Sequence, residues 1–134
     1  ISSNGDVLAA SVRTSFGFEV RVFDLHSDKV RTVARGCSAS LSPDGTLVTV
    51  NGKGHDKLHL FNLETLEKSG YVSSPYGMKF DNQYWSNNAQ WIVSTSEGNH
   101  RDIYVHHVPS DSSFQLTETG DSDRADLFVS ASMP

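Results

Sequence analysis

Six histidines carry the widest chemical range in this chain. His106 and His107 are adjacent, so on a strand they point to opposite faces and do not chelate one ion together. His55 and His59 are four apart, a spacing that matters only on a helix, and both fall in a turn-and-strand context. His55 and His100 fall in equivalent loops of a repeated pattern and could converge on a cation or anion, but no third ligand is evident. Asp121-Ser122-Asp123 opens like a calcium loop. Neither the glycine nor the later glutamate of such a loop follows, so no calcium site is expected. No metal or other cofactor is expected.

Nucleophilic chemistry has less to work with. No Gly-x-Ser-x-Gly elbow is present, and Gly36-Cys37-Ser38 lacks its second glycine. Cys37 is the only cysteine, which rules out an internal disulfide and a Cys-based zinc site. Arg35, two residues earlier, would raise its reactivity, but no partner histidine is recognisable, and a small buried residue is expected there. Glycine-rich phosphate cradles are absent. Trp85 and Trp91 occupy strand positions and read as core, leaving Tyr76 and Phe80 as the ligand-facing aromatics.

The elements that must position these residues are strands. Ser42-Pro43-Asp44-Gly45 is a tight turn in which Pro43 presets φ and Asp44 and Gly45 suit the following positions. Degraded copies occur at Ser3-Asn4-Gly5-Asp6 and Ser86-Asn87-Asn88-Ala89, with turn serines at 3, 42 and 86 spaced 39 and 44 apart. A second ruler agrees: Val22-Phe23-Asp24-Leu25, Leu60-Phe61-Asn62-Leu63 and Val105-His106-His107-Val108 end 38 and 45 residues apart. Alternating strands are predicted at 6–12, 18–25, 29–33, 57–63, 90–95, 102–108 and 114–117, with a poorer one near Tyr71 and a short one at 84–86. Helix should be scarce. Four strands per ~40–45 residues is the period of a propeller blade, the plainer alternative being a sandwich of short strands.

The third copy carries a resemblance. Trp85-Ser86, Trp91-Ile92-Val93, Asp102-Ile103-Tyr104-Val105, Gln115-Leu116-Thr117 and Gly120-Asp121 resemble the TolB-like β-propeller repeat. The second copy keeps Leu41-Ser42-Pro43-Asp44-Gly45 but has Leu58-His59-Leu60 where Ile-Tyr is usual. The first keeps Asn4-Gly5 and Val22–Leu25. The resemblance implies an all-β propeller of four-stranded antiparallel blades, about three in this chain. It also implies a periplasmic or secreted location, a cytoplasmic one staying open, and a binding or scaffold role without catalysis. Some propellers of this repeat type resemble oligogalacturonate lyases, which use a histidine-bound metal, so a metal-assisted polysaccharide lyase or other hydrolytic enzyme is the alternative. A fragment of a larger propeller protein is the third reading.

The blades run over about 1–36, 37–78 and 79–120, and 121–134 supplies one further strand. Each copy runs strand A, the serine turn, then B, C and D. The first has almost no strand A, and 126–130 is a strand A without a blade. A propeller needs 4–8 blades to close. Two chains could each lend 126–130 to the other's first blade, giving a homodimeric ring of six, or the missing blades belong to a longer chain.

In this order the B–C and D–A loops share one face. It holds the candidate ligand-binding residues His55, Asp56, Tyr76, Asp81, Asn82, Asn99, His100, Arg101, Asp121 and Asp123. The plainer reading of each is a solvated turn residue, and Asp123 is expected to bind backbone N–H groups of the next blade. The partner is an unknown protein or small molecule. Lys and Arg number 11 against 16 Asp and Glu, a net charge of −5, so the basic stripe of a nucleic-acid binder is missing. No run approaches the ~20 apolar residues of a membrane-spanning helix, so no membrane insertion is expected.

Overall fold

A computed structural model describes residues 1–130. Its strands are β1 (Val7–Thr14), β2 (Gly17–Asp24), β3 (Val30–Arg35), β4 (Cys37–Leu41), β5 (Leu47–Asn51), β6 (Lys57–Asn62), β7 (Lys68–Ser73), β8 (Phe80–Trp85), β9 (Trp91–Ser96), β10 (Ile103–His107) and β11 (Ser112–Gln115). They form three antiparallel meanders, β1-β2-β3, β4-β5-β6-β7 and β8-β9-β10-β11. The only helical pieces among the described residues are two 3-10 turns, Pro75–Gly77 and Val108–Ser110. This is an all-β set of propeller blades.

Alternation sets the faces. In β2, Val20 and Val22 are buried while Glu19 and Arg21 pair at 3.1 Å on the other face. In β5, Val48, Thr49, Val50 and Asn51 are all buried, because the middle sheet is covered on both sides. The sheets stack through strand A: β4 packs against β1 and β2, and β8 against β4. The core lies between them. Val20, Val22, Val48, Val50 and Leu63 fill the first gap, and Leu58, Val72, Phe80 and Ile92 the second.

The A–B turn repeats one backbone bond three times and its serine-hydroxyl bond in the first two copies, with one correction to its register. Ser42 N–H donates to Leu47 O at 2.9 Å, and Ser42 Oγ accepts from Leu47 N–H at 2.9 Å. The first sheet repeats both bonds with Ser2, not Ser3: Ser2 N–H to Val7 O at 2.8 Å and Val7 N–H to Ser2 Oγ at 2.9 Å. Ser86 N–H donates to Trp91 O at 3.0 Å. The turn serines are therefore 2, 42 and 86, all buried. The fourth position is a glycine in the first two, with φ of 80° at Gly5 and 71° at Gly45, a conformation that costs a side-chain-bearing residue energy. The sequence reading slipped by one because Ser2 and Ser3 are both serines, and only the backbone bonds tell them apart.

The C-D turns match the second ruler. Leu25, Leu63 and Val108 each donate N–H to the carbonyl of the residue just before β1, β5 and β9 respectively: Asp6, Thr46 and Gln90, at 2.8 Å in each case.

Residues 122–130 form no strand within this chain. They run beside β9 as irregular backbone. Leu127 packs on the Val93, Ile103 and Val105 cluster, and the Asn87 carboxamide brackets Val129, accepting its N–H at 2.7 Å and donating to its carbonyl at 3.0 Å. Residues 131–134 of the stretch read as a strand A lie outside the described residues.

Candidate functional site

The B–C and D–A loops meet at one end of the stack. Ser74 N–H donates to Asp56 O at 2.9 Å, Phe80 N–H to His55 O at 2.7 Å, and Glu97 N–H to Lys79 O at 2.7 Å. These bonds tie the B–C loop of the middle sheet to the link that leads into the third.

A cleft of about 290 Å³ opens at this end between the first two sheets, lined among others by Phe16, Phe18, Arg35, Cys37, Asn51 and His55. Phe16 is 82% exposed at the tip of the β1–β2 hairpin, and the Arg35 guanidinium lies 6.0 Å from its ring centroid. Gly36 makes the passage from β3 to β4: a Cβ there would stand 2.5 Å from Asn51 O and 2.5 Å from Val50 Cγ1, so the backbone can only pass this close as glycine. That passage sets Cys37 at the cleft wall, opposite Asn51 in the strand register.

His55 occupies the middle of the site. It sits at φ 58° in the B–C loop, its Nε2 3.8 Å from Cys37 Sγ and its Nδ1 3.4 Å from Glu97 Oε2 of the neighbouring sheet. Cys37 therefore does have a partner histidine, contrary to the sequence reading, and it is half-buried. Two strands and a loop separate them in the chain, so no local spacing signals the pair. Asn51 is wholly buried and its Nδ2 donates to Phe80 O at 2.8 Å, which fixes the amide's orientation and leaves Oδ1 without a partner.

The remaining residues singled out from the sequence scatter. Tyr76 is 89% exposed in the 3-10 turn, and Asp56 and Asn99 are loop residues. Asp81 and Asn82 lie not in the loop but inside β8, where the register shifts between Phe80 and Gln83, and Asp81 O accepts from Ser38 Oγ at 3.2 Å. His100 packs against Gly120, whereas His55 meets Cys37 and Glu97. Arg101 pairs with Asp123 at 2.8 Å and bridges to Asp121 through its backbone, so these three bind the third sheet's own loops together. Asp123 thus takes a guanidinium within its own sheet's loops.

Phe80 is not ligand-facing. It is wholly buried, edge-on to the His106 ring with centroids 5.2 Å apart. Its side chain follows the buried phase of β8, one residue past the loop. Trp85 and Trp91 pack against core clusters as expected. His106 is a core residue too, with Ser94 Oγ and Ser113 Oγ each 2.7 Å from its ring nitrogens, and burial pushes its pKa down to about 4. The candidate ligand-binding set read from the sequence lacks Glu97 and Phe16 and takes Arg35 only as a neighbour of Cys37, although Glu97 and His55 lie in equivalent loops.

A larger cavity, about 480 Å³, lies in the C–D turn of the first sheet around Asp24–Lys29 on the opposite face. Its walls are the turn's own residues. Asp24 Oδ1 accepts from His26 and Ser27 N–H, which holds its pKa below the usual carboxylate value. It is the hollow of one turn, whereas the smaller cleft spans two sheets.

Among solved structures the chain is similar to a TolB-type protein of Agrobacterium tumefaciens, at 17% identity and a TM-score of 0.71 over 89% of this chain and 45% of that one. TolB of Acinetobacter baumannii matches at 17% identity and TM-score 0.73, over 94% of this chain and 33% of that one. An oligogalacturonate lyase in complex with manganese matches at 14% identity and TM-score 0.65, over 84% of this chain and 36% of that one. The fold is thus a β-propeller segment similar to those of these structures, and the chain spans less than half the length of each. No family model matches the chain, and no curated protein matches it. Among the described residues no helix is long and apolar enough to cross a membrane.

Proposed function

We propose that the chain is a non-catalytic binding or scaffold module of TolB-like propeller type, periplasmic or secreted, with its ligand or protein partner met at the end formed by the B–C and D–A loops. The observation that carries this is the cleft between the first two sheets, in which an exposed aromatic, Phe16, and two cations, Arg35 and Lys53, stand around Cys37 and His55. Apolar and cationic groups together suit a small anionic ligand or an acidic loop. Titration with short acidic peptides, followed by backbone amide shifts, is expected to move Phe16, Arg35, Lys53 and His55. Shifts confined to the opposite face, around Ser42 and Gly45, would overturn the reading. The lyase alternative needs His55 and His100 on one ion, and the two rings have different partners.

A second copy is the proposed partner for the open ends. The first sheet has three strands where the others have four, so β1 keeps a free edge. The 126–130 stretch lies beside the third sheet without a sheet of its own, and pairing it with β1 of another copy would complete both. Further blades of a longer chain are the other occupant of those ends.

A further inference from the structure

We infer that Cys37 is a nucleophilic thiol served by His55, and that the cleft captures small disulfides bearing a carboxylate, holding one half as a mixed disulfide. This rests on the reading that the loop end is the binding face.

Two observations carry it. Cys37 Sγ, His55 Nε2, His55 Nδ1 and Glu97 Oε2 form a chain with gaps of 3.8 Å and 3.4 Å, the order of nucleophile, base and orienting acid. Each member comes from a different strand or loop, so the arrangement is a product of the fold. Second, Arg35 and Lys53 line the cleft beside Cys37 and His55 in a chain of net charge −5, where a carboxylate would find its countercharge.

The step balances without any further reagent. His55 Nε2 takes the Sγ proton, and Sγ attacks the nearer sulfur of the disulfide. The disulfide's S–S bond breaks as the Cys37–S bond forms. The departing half leaves as a thiolate and collects the proton from His55. Cys37 is oxidised and the departing sulfur is reduced.

Because Cys37 is the only cysteine, intact mass reports its modification directly. Oxidised glutathione is the probe and cystamine, a dicationic disulfide, the control. His55→Gly is the deciding variant: at φ 58° glycine is the less strained residue, so the loop is kept while the imidazole is lost. The native chain is expected to be thiolated by oxidised glutathione at least about tenfold faster than His55→Gly. Added imidazole is expected to restore part of the variant's rate. Arg35→Gln combined with Lys53→Gln should slow oxidised glutathione and leave cystamine unaffected. Equal rates for the native chain and His55→Gly overturn the inference, as does a native rate no higher than that of the chain unfolded in urea. S-methylglutathione, which binds but cannot exchange, separates the two readings. Its binding without any thiol reaction removes the inference and keeps the binding face; absence of both removes both.

Discussion

His106 shows how burial alone changes what a histidine does. It is wholly buried between β9 and β11, satisfied by two serine hydroxyls, and its pKa is pushed down to about 4. The unfolded chain binds this proton near pH 6.5 and the folded chain does not, so the folded state is favoured fully above pH 6.5. As pH falls from 6.5 to about 4 that advantage drains away, by about 3 kcal/mol in total. Urea unfolding at pH 7 and pH 4 should show the loss, and His106→Gln should flatten it; an unchanged slope in the variant would remove His106 as the cause. His26 has the opposite sign. Its bond to Asp6 raises its pKa, so its contribution is present at low pH and is lost as pH rises through the raised value. Phe80→Ala should cost about 3–5 kcal/mol in the same urea assay, since a wholly buried aromatic is removed from between two sheets. A loss under about 1 kcal/mol would mean that the site is not packed as described.

At the scale of the elements, the A–B turns and the terminal stretch obey one rule: a backbone group that lacks a ladder partner finds a side chain. Ser42 Oγ accepts from Leu47 N–H and donates to Asp44 Oδ1 at 2.6 Å, a web that holds the Asp44 carboxyl below its usual pKa despite partial burial. Ser42→Ala should therefore destabilise the chain by about 1–2 kcal/mol, read by thermal unfolding. Asn87 does the same for Val129 with two bonds. Asn87→Ala is expected to speed hydrogen exchange at the Val129 amide by about tenfold while leaving the β9 amides unchanged. Equal exchange in both proteins would show that the bracket holds nothing. The turn phrase and the alternation of β2, β6 and β10 were legible in the residues because both follow from local backbone preference. The Ser2 register was not, because two neighbouring serines satisfy the same preference.

For the whole molecule, the proposed pairing with a second copy makes a prediction about the state in solution. Two copies of three sheets each would close a six-bladed ring, and 126–130 would then add to the free edge of β1. Light scattering is expected to give about twice the 14.7 kDa chain mass. A truncation after Arg124 should return the dimer to monomer, and a monomeric intact chain would end the strand-exchange proposal.

The amino-acid sequence by itself determined the all-β class, the repeat and its period, and the face on which loops gather. Those depend on period-two alternation and turn chemistry, which are written within a few residues of each other. Only the tertiary structure decided what meets on that face. Cys37 opens β4 and His55 lies in the B–C loop of the same sheet, while sheet stacking brings in Glu97 from the third, all within 4 Å steps of one another. It also sent Phe80 inward and turned Arg101 onto Asp123, because which side of a strand a residue takes depends on register, and register is fixed by pairing rather than by residue type.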